Sequence, residues 1–487
     1  MSLLSISIQK ARMFRSALLI LSGNAATSLL LLARNLLIAR LIPVADYGIA
    51  STFAIAMAVV EMASQLGLQQ QIIQAKDGEK ERFQAALQGF QLLRGCVGGA
   101  VLFLCAGPIA NFLNVPDTKW AYQVMALVPV LMALTHFDIH RLNRKMEFWP
   151  AIISAALPAL ASVLAVFPLA LFYGDYRVML WAIVIRAAMI AVTSQLVAKR
   201  PYRLVLDRAI MGQSLRFGWP LLVNGALMFA VFQGDKLIVG RELGMETLAI
   251  FAMGFTLTLT PTLVMAKSAQ NFFLPQLSGI DRDTEQGAMR FQHLALVTMQ
   301  AVVLMALVLV VAVILIGPPT ITLLLGEKYS ALLPFLVWLA LMQAMRVAKA
   351  GPALVALSLG HTTNTMVANL LRVMVLPLSW YIAVSTGDLL LIIWIGIAGE
   401  SFGYIVSLAL LRGHSGVSLH KMVAPQIGSA VILAVTIFFV LNGWMLFDSA
   451  WGMLLNASIY ALLIVAVFWT FKDLRLYVKR RTYSDVR

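Results

Sequence analysis

The stretch from Ser214 to Gly244 reads SLRFGWPLLVNGALMFAVFQGDKLIVGRELG. Arg216 and Phe217 lead into Gly218-Trp219-Pro220, and an apolar run then continues from Leu221 to Val239. That run is long enough to cross a bilayer, yet it carries Asp235 and Lys236 inside it. A charge within a span is costly, so it faces protein or a water-filled cavity rather than lipid. The stretch is also a second copy. Leu37-Ile38-Ala39-Arg40 aligns with Ile238-Val239-Gly240-Arg241 at an offset of 201, which sets Arg34 on Asp235 and Gln69 on Gln270.

Working outward, the same kind of segment fills the chain. Of 487 residues, 61% are hydrophobic and 12% charged, and the mean hydropathy is +0.86. A soluble domain needs a more polar surface, so the composition describes an integral membrane protein. Apolar runs of about 20 residues mark spans. Fourteen are expected, at 17–39, 47–67, 84–106, 120–140, 151–173, 178–198, 217–239, 245–267, 290–316, 329–350, 364–386, 389–411, 423–443 and 451–471. The runs are too long, and alternate too little, to be strands of a barrel. Lys10, Arg12 and Arg15 precede the first, which reads as an uncleaved helix rather than a signal peptide.

The net charge of +15 follows topology rather than forming a nucleic-acid patch, so no nucleic-acid partner is expected. With the N-terminus inside, basic clusters such as Arg141, Arg144, Lys145 and Lys199, Arg200, Arg203 fall in the cytoplasm. So do Arg346, Lys349 and the tail from Lys472 to Arg487. Outside fall Arg40, Lys119, Arg177, Arg241 and Lys328. The bias predicts an even number of spans with both termini inside.

The repeat recurs at an offset of 213, where Gly174-Asp175 matches Gly387-Asp388, Trp181 matches Trp394 and Lys199 matches Arg412. The fold expected is therefore all-α, with about fourteen transmembrane helices. Two six-helix lobes, 1–210 and 211–420, would be related by a pseudo-two-fold along the membrane normal. Residues 421–487 would add two helices and a basic tail.

Nothing in the chain reads as an enzyme motif: there is no Walker lysine loop, no paired carboxylates on a polar loop and no His-Glu-x-x-His. His136, Asp138 and His140 scatter around a helix rather than converge, so they read as structural or interfacial. Cys96 and Cys105 point to opposite helix faces and read as apolar filler. No cofactor or metal is expected. The informative residues are ionisable groups inside spans. Arg34, Arg94, Arg186, Lys236 and Arg372 are candidates for a substrate cavity, and Glu61, Asp235 and Glu400 for coupling or gating. Snorkelling is the alternative for Arg94, and structural pairing the alternative for Arg372 with Glu400. The excess of cations suits an anion, and the arginine fork suits a diphosphate. Because the repeat superposes Arg34 on Asp235, the two could meet across the outer half of the cavity, with local pairing of Asp235 as the alternative.

Six pieces then fit a known pattern in order: ARLIPVADYGIAS (39–51), SQLGLQQQIIQ (64–74), HRLNRKMEFWPAI (140–152), the 216–244 stretch, FFLPQLS (272–278) and LLLGEKYSALLPFL (323–336). Together they resemble bacterial polysaccharide-exporter flippases, the Wzx-like branch of the superfamily that also holds multidrug and toxic compound extrusion transporters. The resemblance implies two six-helix lobes around a central cavity in the bacterial cytoplasmic membrane. It also implies transfer of a polyprenyl-diphosphate-linked oligosaccharide to the outer leaflet by alternating access. A coupling proton or sodium ion, membrane lipids, and polysaccharide polymerase and export machinery are the implied partners. The alternatives are a multidrug exporter of the same fold, which would favour an acidic cavity, and a peptidoglycan-precursor lipid exporter. A membrane-embedded polymerase or ligase would need larger exterior loops than these.

Overall fold

The computed structural model describes residues 3–63, 66–415, 419–423, 426–442 and 450–484. Arg487, the last of the expected tail cations, lies outside them. Every regular element among the described residues is helical. This is what a bilayer demands of an open chain, because a helix satisfies its own backbone groups where water cannot.

The chain forms two compact units, Met1–Ala249 and Ile250–Arg487. In the first, α1 (Leu3–Leu41) and α2 (Val44–Ala63) are followed by the short α3 (Leu68–Gln74) and the long α4 (Glu81–Phe112). Next come α5 (Lys119–Met125), α6 (Leu127–Ala133), α7 (Asp138–Arg144), α8 (Trp149–Phe172), α9 (Arg177–Val197) and α10 (Arg208–Glu242). α11 (Met245–Ser278) begins here. The second unit holds α12 (Glu285–Leu325), α13 (Leu333–Ser358), α14 (Thr363–Met374), α15 (Leu376–Thr386) and α16 (Leu389–Ser415). It ends with α17 (Leu419–Val423), α18 (Ile427–Leu441), α19 (Ala450–Thr470) and α20 (Lys472–Ser484).

Ten helices among the described residues are long and apolar enough to cross a membrane, and twelve if each of two bent pairs is one span. The fourteen stretches read from sequence exceed this for physical reasons. α18 has 15 residues, about 22 Å at 1.5 Å per residue, short of a hydrocarbon core of about 30 Å. The described part of α1 is interrupted by Gly23, Asn24, Arg34 and Asn35. The 120–140 stretch is itself broken: Pro116–Ala133 and Asp138–Arg144 meet at 46°. The 364–386 stretch is among the ten, although it is divided at Val375, where Pro377, lacking an N–H, opens α15 in its first turn.

The repeat is visible in element boundaries. α1 ends at Leu41 and α10 at Glu242, while α2 starts at Val44 and α11 at Met245, each an offset of 201. At the later offset one turn is built twice. Gly174 (φ 67°) and Gly387 (φ 64°) adopt the left-handed conformation that ends a helix. The next residue then starts the following helix: Asp175 accepts from Arg177 N at 2.8 Å, and Asp388 accepts from Leu390 N at 2.7 Å.

α10, the helix of the opening stretch, packs along α2, α3 and α4 within the first unit. Asp207 caps it, accepting from Ala209 N and Ile210 N and pairing with Arg82 at 2.9 Å. The amides of Ile210, then Arg82, hold this carboxyl below the usual aspartate range. Glycine makes the approach possible: a Cβ on Gly218 would stand 2.6 Å from Leu66 O.

At the end of α7, arginines of the HRLNRK stretch hold a neighbouring loop. Arg144 Nη1 donates to the carbonyls of Ile72, Ile73 and Ala75, closing the C-terminus of α3. Arg141 pairs with buried Asp138 at 2.6 Å and with Glu79 at 3.4 Å. Asp138 also accepts from Lys199 N at 2.8 Å. Burial opposes ionisation of Glu79, yet Lys145 and Arg141 together hold it below the usual glutamate range.

Candidate functional site

Most of the in-span charges collect into two groups, one in each unit. In the first unit, α1 supplies Arg34, which is buried. Its Nε and Nη2 donate to Asn35 Oδ1 at 3.3 and 3.0 Å, and Nη1 donates to Ser162 Oγ on α8 at 3.4 Å. Ser162 in turn donates to Ala182 O on α9. Arg34 lies within electrostatic reach of Arg186 on α9, and Glu61 on α2 within reach of both Arg186 and Arg94 on α4. Four helices thus align three cations and one carboxylate. Arg94 and Arg186 are half-buried and Glu61 is exposed, so the row opens to the surface of the unit. Arg186 Nε, though buried, has no hydrogen-bond partner among the described residues. A guanidinium beside an open polar row can receive an anion.

In the second unit the group is sealed. Glu400 on α16 is fully buried, as is Arg372 on α14. Glu400 Oε1 accepts from Arg346 Nε at 2.6 Å and faces Arg372 Nε at 3.4 Å, while Oε2 accepts from Lys349 Nζ at 2.7 Å. Gln343 Oε1 accepts from Arg346, and Asn369 Oδ1 from Lys349, both at 3.3 Å. Glycine again allows the helices to close. A Cβ on Gly399 would stand 3.1 Å from Arg372 Cδ, and one on Gly403 would stand 2.9 Å from Ala368 O. Four residues apart, they form the small-residue face by which membrane helices approach.

Arg346 and Lys349 stand near the cytoplasmic end of the expected span 329–350, whereas the helix that carries them is longer on that side. The expected span stops at 350, but α13 continues through Pro352 to Ser358. Both cations therefore lie well inside a span. The available signal was spacing: Gln343, Arg346 and Lys349 recur every three residues and share a helix face.

Asp235 is buried and Lys236 half-buried on α10. Arg34 lies with Ser162 and Arg186 as described. Among the described residues no three His, Cys, Asp or Glu side chains are grouped to hold a metal. Cys96 and Cys105 are both free and exposed on α4.

Residues 37–334, more than half of the chain, match the polysaccharide biosynthesis protein family. The succinoglycan biosynthesis transport protein ExoT of Rhizobium meliloti is 24% identical over 245 residues. That match takes in 49% of this chain and 48% of ExoT, so the chain spans about half the length of this relative. A membrane protein of the cps region of Klebsiella pneumoniae is 18% identical over 410 residues, covering 83% of this chain and 81% of its own. Among solved structures, lipid II flippase MurJ in an inward closed conformation superposes with a TM-score of 0.71 at 15% identity, covering 94% of this chain and 99% of its own. An inward-facing multidrug resistance MATE family transporter of the MOP superfamily gives a TM-score of 0.64 at 15% identity, covering 81% and 96%. The chain therefore belongs to the polysaccharide biosynthesis protein family, as a polytopic membrane protein with the fold of the MOP-superfamily transporters.

Proposed function

We propose that the protein is a flippase for a polyprenyl-diphosphate-linked oligosaccharide, carrying it from the cytoplasmic to the outer leaflet by alternating access during surface-polysaccharide synthesis. The observation that carries the reading is the open row of Arg34, Arg186 and Arg94 against the single carboxylate of Glu61. Three cations to one carboxylate among the described residues of the row suit an anionic partner, and guanidinium forks bind phosphate oxygens in pairs. The family and the role of ExoT in succinoglycan biosynthesis supply the sugar side. A cationic drug would be repelled by the same row. Lys236 and Arg372 remain candidates for extending the cationic surface, and Asp235, Glu61 and Glu400 for coupling or gating. Polymerase and export machinery would take the product.

Arg186→Gln tests the site. It keeps a polar side chain but removes the charge and the spare donor. Surface polysaccharide should fall about tenfold or more, the loss of one charge-assisted contact, with protein level unchanged. Normal export in that variant would remove Arg186 from the site, and disappearance of the protein would reassign it to structure.

The proposal includes fourteen helices in the bacterial cytoplasmic membrane, two lobes and both termini inside. Because α12 runs to Leu325 and α13 to Ser358, the informative reporter fusions follow Gly326 and Gly360. The first should report the outer side and the second the cytoplasm, and the reverse at either would overturn the orientation.

A further inference from the structure

The carboxyl-terminal helix α20 has no part in the charged groups described above. It leaves α19 at 90°, the bend falling between Thr470 and Lys472. α19 carries Trp451 and Trp469, 82% and 61% exposed, near its two ends. Eighteen residues separate them on one helix, about 27 Å at 1.5 Å per residue, close to a hydrocarbon core of about 30 Å. Tryptophans so spaced mark the two headgroup levels. A helix turning through a right angle just past Trp469 therefore runs along the membrane surface.

The faces of α20 differ. Phe471 and Leu474 are buried against α12 and its neighbours. Asp473 accepts from Gln300 Nε2 at 2.9 Å and meets His293 Nδ1 at 3.1 Å; Tyr477 donates to Gln276 on α11 at 2.7 Å. The opposite face carries Lys472, Leu476 and Lys479, all exposed, at helical spacing of four and three. Arg475 lies over the Trp469 ring at 5.1 Å, at the headgroup level. The single acid of the helix, Asp473, is thus used inward, and the outward face is basic with a leucine between two lysines.

We infer that α20 is an interfacial helix whose Lys472–Leu476–Lys479 face binds anionic phospholipid headgroups of the cytoplasmic leaflet, with Arg475 held there by Trp469. Charge complementarity selects the occupant: each lysine near an anionic surface contributes about a factor of five in affinity. Leu476 enters the acyl boundary, as apolar residues of surface-lying helices do. Through Asp473 and Tyr477 the bound lipid fixes the ends of α12 and α11 to which α20 is docked. Export need not be measured to test this, so its failure is separable from failure of the flippase reading.

The full-length protein in neutral detergent is titrated with phosphatidylglycerol or phosphatidylcholine while its melting temperature is followed. Phosphatidylglycerol should raise it and phosphatidylcholine should not, and inorganic phosphate at matched ionic strength should have no effect. Lys472→Gln/Lys479→Gln should weaken the phosphatidylglycerol response roughly 25-fold, whereas Lys76→Gln/Lys80→Gln, equal in charge, should leave it unchanged. No difference between the lipids, a response to phosphate, or equal loss in both double variants would each overturn the assignment. A spin label on Leu476→Cys, with Cys96 and Cys105 replaced by Ser, gives an independent reading in bilayers containing phosphatidylglycerol. It should report the headgroup–acyl boundary, and a fully water-exposed label would overturn the proposal.

Discussion

Glu400→Gln should destabilise the protein by about 3–5 kcal/mol, the cost of breaking a buried ion pair by removing one partner. The carboxylate is completely buried and compensates Arg346 and Lys349 at 2.6 and 2.7 Å, with Arg372 at 3.4 Å. Glutamine has the same shape but no charge, so Arg346 and Arg372 would remain buried without their carboxylate, with Lys349 beside them half-buried. The change should appear as a large fall in melting temperature and in the amount of protein recovered from membranes. Removing a cation as well should restore part of the loss: Glu400→Gln/Arg346→Gln should be more stable than the sum of its single changes. A Glu400→Gln protein that melts with the wild type would show that the group does not hold the second unit together.

Gly48→Ala should reduce export at least tenfold and lower the melting temperature. A Cβ at position 48 would stand 1.8 Å from Met245 O, 2.6 Å from its carbonyl carbon and 3.0 Å from its Cα. The obstacle is backbone, so no rotamer change relieves it, and α2 must move away from the start of α11. Overpacking of this kind costs about 1–3 kcal/mol and occasionally more. Met245→Ala should not rescue the variant, because the clashing atoms remain. Gly212→Ala on α10 provides the contrast, since nothing lies within 4 Å of its Cβ position; both stability and export should be retained. Wild-type melting and export in Gly48→Ala would show that this approach can relax freely.

The element boundaries at Leu41 and Glu242, and at Val44 and Met245, lie where the internal alignment of Arg40 with Arg241 puts them. Hydropathy, the glycine that ends a helix and the aspartate that starts the next are local properties, legible in a single chain. The turns at Gly174-Asp175 and Gly387-Asp388 use the same glycine conformation and the same side-chain cap. The family resemblance rests on the same local stretches, from Ala39 to Leu336, and the family match covers 37–334.

Which charges meet is a different kind of information. Sequence could place Arg34, Arg186, Arg372 and Glu400 at membrane depth, but not separate an open row from a sealed group. Arg346 and Glu400 are 54 positions apart and are joined only because α13 packs on α16. The span expected from hydropathy stops at 350, and the structure carries α13 on to Ser358. The right-angle turn into α20 also depends on contacts far along the chain, Asp473 with His293 and Gln300 and Tyr477 with Gln276. The sequence by itself therefore determined the membrane class and the positions of most helical segments, because solvent transfer and capping act within about one element. The tertiary structure decided the partners of the buried charges, because electrostatic pairing depends on distances between helices that no local pattern encodes.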